Sequence, residues 1–189
     1  MTWIASFRLI FYQLLRPFSY LRIKHEDKKV YDWVLPAILT ILTLVVFKYT
    51  MPISSVVESN GVIAEITSFV SNLPGFFIAA LAAVATFNKN DIDQLMSNPP
   101  KLEIMHHGNA LMIEMTRRRF LCVLFSYLTA VSIFLVLFTK IALKFHIAQE
   151  YEIIAAWSGT ALFFFVMWQM ILATVLGLYY LGERLHTPQ

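Results

Sequence analysis

"FLCVLFSYLTAVSIFLVLFTKIA", residues 120–142, decides the fold, and the arginines just before it, Arg117, Arg118 and Arg119, bear on which way round it sits. From Phe120 to Thr139 the run holds no aspartate, glutamate, lysine or arginine. A helix needs roughly 20 mainly apolar residues to cross the hydrocarbon core of a bilayer, so this segment predicts a membrane span. Three more stretches have the same character: 31–49, "YDWVLPAILTILTLVVFKY"; 64–87, "AEITSFVSNLPGFFIAALAAVATF"; and 153–181, "IIAAWSGTALFFFVMWQMILATVLGLYYL". Backbone amides find no water in lipid, so segments of this length are helices with their bonds closed internally. Composition agrees: of 189 residues, 58% are hydrophobic and 14% charged, against about 45–50% and about 25% in soluble domains. Aromatic residues stand at several borders, Tyr31, Trp33 and Tyr49 on the first span and Tyr151, Trp157, Tyr179 and Tyr180 around the fourth, as the headgroup layer favours.

Direction follows from the basic residues. The net charge of +3 averages two unlike faces. Twelve of the 15 lysines and arginines fall in the N-terminal segment, the loop between the second and third spans, and the tail; Lys48, Lys140 and Lys144 fall on the other side. Positive charge is retained in the cytoplasm, so both termini and the long loop 88–119 are expected inside. The expected fold is an all-α integral membrane protein of four transmembrane helices, N-in and C-in, with the tail 182–189 cytoplasmic.

The first 30 residues are expected to form an amphipathic helix on the inner leaflet. Trp3, Phe7, Ile10, Leu14 and Leu21 recur near helical spacing, while Arg8, Arg16 and Arg22 are available to anionic headgroups. Pro17 should bend it. Packing of the same face against the bundle or a sister subunit is the alternative. Arg8 and Arg16 interrupt the apolar residues here, so the segment does not read as a signal peptide.

Polar and helix-breaking residues inside the spans are few. Asn72 and Pro74 should kink the second span, because proline removes a backbone bond and a nearby amide can re-pair the freed groups. Gln169 should hydrogen-bond across helices or line a polar cavity. Gly75, Ala79 and Ala83 lie four apart, as do Ala173 and Gly177, and such stripes let helix backbones approach. The lone cysteine, Cys122, excludes a disulfide framework within the chain and reads as a packing residue.

Within 88–119, "NKNDIDQLMS" suggests a small helix and "SNPPKLE" the start of another. No proline follows Lys101, so a continuous helix is expected from there into the third span, projecting about 28 Å at 1.5 Å per residue. On that helix Ile104, Met105, Leu111, Met112 and Met115 share one side and form a candidate docking face for a partner. Arg117, Arg118 and Arg119 read as a lipid and topology anchor, with Arg8, Arg16 and Arg22, rather than as a nucleic-acid contact. No zinc-protease, serine-hydrolase, Walker or dinucleotide pattern occurs. On a helix Glu103 and His107 could meet while His106 points about 100° away, which is weak ground for a catalytic or metal site. No enzyme activity, cofactor or metal is expected.

Taken together, "FRLIFYQLLRPFSYLRIKHEDKKVYDW" (7–33), "FNKNDIDQLMSNPPKLEIMHHG" (87–108) and "LGLYYLGERLHTPQ" (176–189) resemble the membrane subunit of the bacterial Kiwa anti-phage defence system. That resemblance implies a homo-oligomer in the inner membrane, a tetramer being the working expectation. It also implies recruitment of a cytosolic DNA-binding effector subunit, with no direct nucleic-acid contact by this chain and no catalytic residues in it. Two other readings stand beside it. One is a holin-like pore, lined by Ser126, Thr129, Ser132, Gln169 and Thr174; the other is a small subunit of a transporter or membrane enzyme complex.

Overall fold

The computed structural model describes residues 13–23, 28–86, 90–95, 99–106, 109–145 and 151–182. Four of its helical stretches are long and apolar enough to cross a membrane: Val30–Thr50, Ile53–Thr86, Arg117–Ala142 and Glu152–Leu181. This is a mainly helical, multi-pass membrane protein, and the four expected spans are present.

The first span opens with a π turn, Val30–Val34, and continues as α1, Leu35–Thr50. Pro36 stands where the π turn passes into α1. The second span is three helices in line: α2, Ile53–Val57; α3, Val62–Val70; and α4, Leu73–Thr86. Gly61 joins the first two. A Cβ there would lie 2.6 Å from the Ser55 carbonyl oxygen, so only glycine lets the chain fold back this tightly. The break between α3 and α4 falls at Ser71–Asn72, directly before Pro74. Asn72 Nδ2 donates to the carbonyls of Ser68 (3.3 Å) and Phe69 (3.4 Å), so its amide serves the carbonyl groups around the break. The break thus falls beside Asn72 and Pro74, the two residues from which a kink is expected.

The third span, α5, runs Arg117–Ala142 and is capped by Thr116, whose hydroxyl accepts from the Arg119 N–H. It is the central helix. α3, α4 and the fourth span, α6 (Glu152–Gly182), all pack on it, and α1 packs on α6. The spatial order of spans is thus second, third, fourth, first. Leu121, Leu124, Phe125, Leu128 and Met170 fill the centre. Gly177 permits the closest α5–α6 approach, since a Cβ there would lie 2.9 Å from Leu124 Cδ2. Trp168 Nε1 donates to Thr43 Oγ1 at 3.1 Å and ties α6 to α1.

Two sequence expectations are corrected outside the spans. Residues 101–114 are not a helix extending the third span. They form an antiparallel hairpin, β1 (Lys101–His106) and β2 (Asn109–Glu114). The register pairs Leu102 with Ile113, Ile104 with Leu111 and Lys101 with Glu114, and His106 faces Asn109 across a two-residue His-Gly connection. Two aliphatic pairs and a complementary charge pair in this register favour strands over the weak 3.6-residue periodicity. The second correction concerns the N-terminal segment. Arg16–Arg22 is a 3₁₀ turn begun at Pro17, packed against α5 rather than lying free on the leaflet. Tyr20 and Ile23 are buried, and Tyr20 stacks on Tyr127 with 4.8 Å between ring centroids. Residues 1–12, with Arg8, and the tail 183–189 lie outside the described residues.

Candidate functional site

Asp32 lies at the start of the first span and is only 2% exposed. A buried carboxylate requires partners, and the chain supplies them from three directions. Tyr20 Oη donates to Asp32 Oδ1 at 3.0 Å, and the Lys28 ammonium donates to Oδ2. Lys28 Nζ also lies 4.4 Å from the centre of the Tyr20 ring. Burial, and after it the Asp32 charge, holds the Tyr20 phenol above the ordinary tyrosine range, so it remains a proton donor.

The third partner bonds the backbone. Pro36, four residues beyond Asp32, has no N–H to offer the Asp32 carbonyl. Gln169 Nε2 on α6 supplies a donor at 3.0 Å, while its Oε1 accepts from the Tyr127 hydroxyl on α5, also at 3.0 Å. One side-chain amide thus joins the first, third and fourth spans, as expected of an interhelical Gln169. Replacing Gln169 with leucine should cost about 1–3 kcal/mol, two interhelical bonds being lost. Tyr127→Phe should cost less, and the double variant no more than Gln169→Leu alone. Unfolding in mixed micelles checks this; additive losses would mean the two residues act independently.

The extramembrane hairpin is fixed at its base. The Met115 N–H donates to the Pro100 carbonyl at 3.1 Å, and Leu95 bridges to Thr116. Arg118 holds the loop against the second span. Its Nε and Nη2 reach the two oxygens of Asp93 at 2.7 and 2.9 Å, and its Nη1 donates to the Val84 and Ala85 carbonyls at 3.1 Å each. These carbonyls belong to the last turn of α4, where no further helical N–H is available. The Arg118 guanidinium holds the Asp93 carboxyl below its usual range. That contact is present above the unfolded carboxylate pKa and is lost only as pH falls through the depressed value. Arg118→Ala is expected to speed amide exchange at residues 83–86 at neutral pH, while residues 124–128 of α5 stay protected. Unchanged exchange at 83–86 would show that the carbonyls are held by something else.

The structure redistributes the residues singled out in the sequence. Of the candidate docking residues Ile104, Met105, Leu111, Met112 and Met115, the first four fall on the strands of the hairpin and Met115 is fully buried at its base. Met112 is about half exposed, and so is Leu95, which the sequence did not single out. Of the arginines expected to anchor the chain, Arg117 is buried, Arg118 is engaged by protein, Arg119 is half-buried, and Arg16 and Arg22 are exposed. Of the two small-residue stripes, Ala173 and Gly177 sit in the α5–α6 contact. Gly75, Ala79 and Ala83 are exposed among the described residues, because α4 turns its Phe77 and Val84 inward instead. The helical Glu103–His107 pairing disappears with the helix, and His107 lies outside the described residues.

Among the described residues no three His, Cys, Asp or Glu side chains come together to hold a metal ion. The hydroxyls of Ser126, Thr129, Ser132 and Thr174 each donate to a carbonyl of their own helix. Of the five polar residues named for a pore, Gln169 alone bonds across helices, to Tyr127 and Asp32. Asp32 was the residue that sequence reading passed over. Its signal was the Asp32–Pro36 spacing inside a span's first turn, which leaves a carbonyl in need of a donor. Compared with protein-family models, with curated proteins and with solved structures, the chain matches none.

Proposed function

We propose that this chain is a non-enzymatic scaffold and sensor of the bacterial inner membrane, which oligomerises and docks a soluble DNA-binding effector on its cytoplasmic face in anti-phage defence. One observation carries the docking part of this reading. The hairpin is held rigidly at its base by Pro100, Thr116 and Arg118, yet Met112 and Leu95 remain about half exposed beside it. They stand on the side that holds twelve of the 15 lysines and arginines, the cytoplasmic side by the charge rule. A rigid mount with exposed apolar residues lowers the ordering cost of binding a partner.

Within the polar knot Tyr20 and Lys28 bond the Asp32 carboxylate, and Gln169 bonds Tyr127 and the Asp32 carbonyl, so these groups tie the spans together. The antiviral role and the effector follow from the resemblance of the N-terminal, loop and C-terminal segments. The experiment is a co-purification in mild detergent from the native host. The full chain is expected to retain a soluble DNA-binding protein, and a chain carrying Leu95→Glu and Met112→Glu to lose it by about tenfold or more. Equal retention by both chains overturns the docking reading.

A further inference from the structure

The second span exposes polar groups midway through its crossing. Ser68, Ser71 and Asn72 are all exposed around the break between α3 and α4. At 1.5 Å per residue Asn72 lies about 15 Å from Val62 and about 21 Å from Thr86, hence near the bilayer centre. Asn72 Nδ2 donates to the Ser68 and Phe69 carbonyls. Among the described residues nothing donates to Asn72 Oδ1, and the Ser68 hydroxyl has no partner. Ser68 and Asn72 are four apart, and the helical period carries the same exposed face on through Gly75, Ala79 and Ala83. Exposed residues of the other spans are of another kind, with Ile41 and Val45 on α1 and Leu137 and Phe138 on α5. We propose that the α3–α4 face is the contact between two copies of this chain. A two-fold axis along the membrane normal relates them, the helices cross at Gly75, and Asn72 bonds to the partner's Asn72.

Three observations select a second copy as the occupant. The first is depth. Lipid tails offer no donor or acceptor, so an amide oxygen and a hydroxyl here are costly until another polar surface meets them. The second is complementarity. A two-fold contact brings each residue against itself, and asparagine and serine each carry both a donor and an acceptor, so both can bond to their own kind. A lysine or an aspartate could not. The third is approach. Nothing lies within 4 Å of a Cβ at Gly75, and with Ala79 one turn on, the backbone is open to an equally bare helix. Glu65 is exposed at the outer end of the same face, where a second carboxylate would repel it. A crossing of about 40° at Gly75 separates the two Glu65 positions, about 15 Å further out, and leaves both carboxylates to the headgroup layer. The contact rests on the oligomerisation proposed above and not on the effector, since it uses no residue of the hairpin.

The test uses the full chain in proteoliposomes, carrying Cys122→Ala so that one introduced thiol reports. Oxidation of Ala79→Cys is expected to yield about tenfold more covalent dimer than oxidation of Ile41→Cys on the exposed side of α1. Gly75→Leu leaves its own chain undisturbed, because nothing lies within 4 Å of that Cβ. Added to Ala79→Cys, it should lower the dimer yield by about tenfold. Asn72→Leu should lower it as well, while Asn72→Gln should retain it, because the longer amide still pairs with itself. Equal yields from residues 79 and 41, or an undiminished yield in Gly75→Leu, overturns the proposal. Counting copies by single-molecule photobleaching tells two failures apart. Several copies together without a bond at residue 79 overturns this contact and leaves oligomerisation standing, whereas single copies overturn both. Labelling of Ala79→Cys by a membrane-impermeant thiol reagent also overturns it, since the face would then border water as the wall of a pore.

Discussion

Asp32→Ala is expected to destabilise the protein by about 3–5 kcal/mol, the range for breaking a buried ion pair by removing one partner. The loss has two parts. Lys28 keeps its ammonium against the Tyr20 ring with no carboxylate to accept from it, and the Tyr20 hydroxyl loses its acceptor. Both groups are close to fully enclosed, so water cannot replace the missing oxygens at low cost. The pair Lys28→Met with Asp32→Leu should recover most of the loss, since an apolar pair of similar volume removes the unmet charge as well as the contact. Denaturation of wild type, single and double variants in the same detergent separates these outcomes. A single variant within about 1 kcal/mol of wild type would mean that the pair is solvated and the knot is not a stabilising element.

Gly177→Leu carries the second large effect. The wall it meets is Leu124 Cδ2 at 2.9 Å, with Phe125 ring atoms behind at 3.6 and 3.8 Å. Alanine could be accommodated by a small turn of the Leu124 side chain, but leucine requires α5 and α6 to separate, at a cost of about 3 kcal/mol or more. Separation would also pull Gln169 from Tyr127, two turns away on the same helix pair. Gly75→Leu is the matched control, because nothing lies within 4 Å of a Cβ at that position. It should leave the stability of the single chain unchanged. Equal losses at the two glycines would show that α4 presents Gly75 to a neighbouring copy.

The two stripes also show what could be read from sequence. Small residues four apart signal a close contact, but they do not name the partner helix, and one of the two stripes is exposed among the described residues. The four spans were legible because length and apolarity alone are sufficient to require a helix in lipid. The break at Asn72 and Pro74 was legible because its chemistry is local. Residues 101–114 were misread for the opposite reason. Lys101 against Glu114 and Leu102 against Ile113 become convincing only when the two halves are set side by side. The arginines illustrate the same gap. Three adjacent positive charges before a span look alike in sequence, whereas in the fold Arg117 is buried, Arg118 closes the end of α4 and Arg119 is half-buried. Asp32 looked like an ordinary charged border residue, and its backbone carbonyl is met by Gln169, 137 residues away.

That separation orders the assembly of the protein in time. The partners of the Asp32 carboxylate, Tyr20 and Lys28, lie within 12 residues and precede it in the chain. The charge can therefore be neutralised as soon as the first span leaves the ribosome. The Asp32 carbonyl waits for Gln169, which at about 5–20 residues per second is made roughly 7–30 s later. Through that interval the first span has no fourth span to lean on, and its depth in the bilayer is set by its own sequence. Only the last span to be made can lock the first one in place.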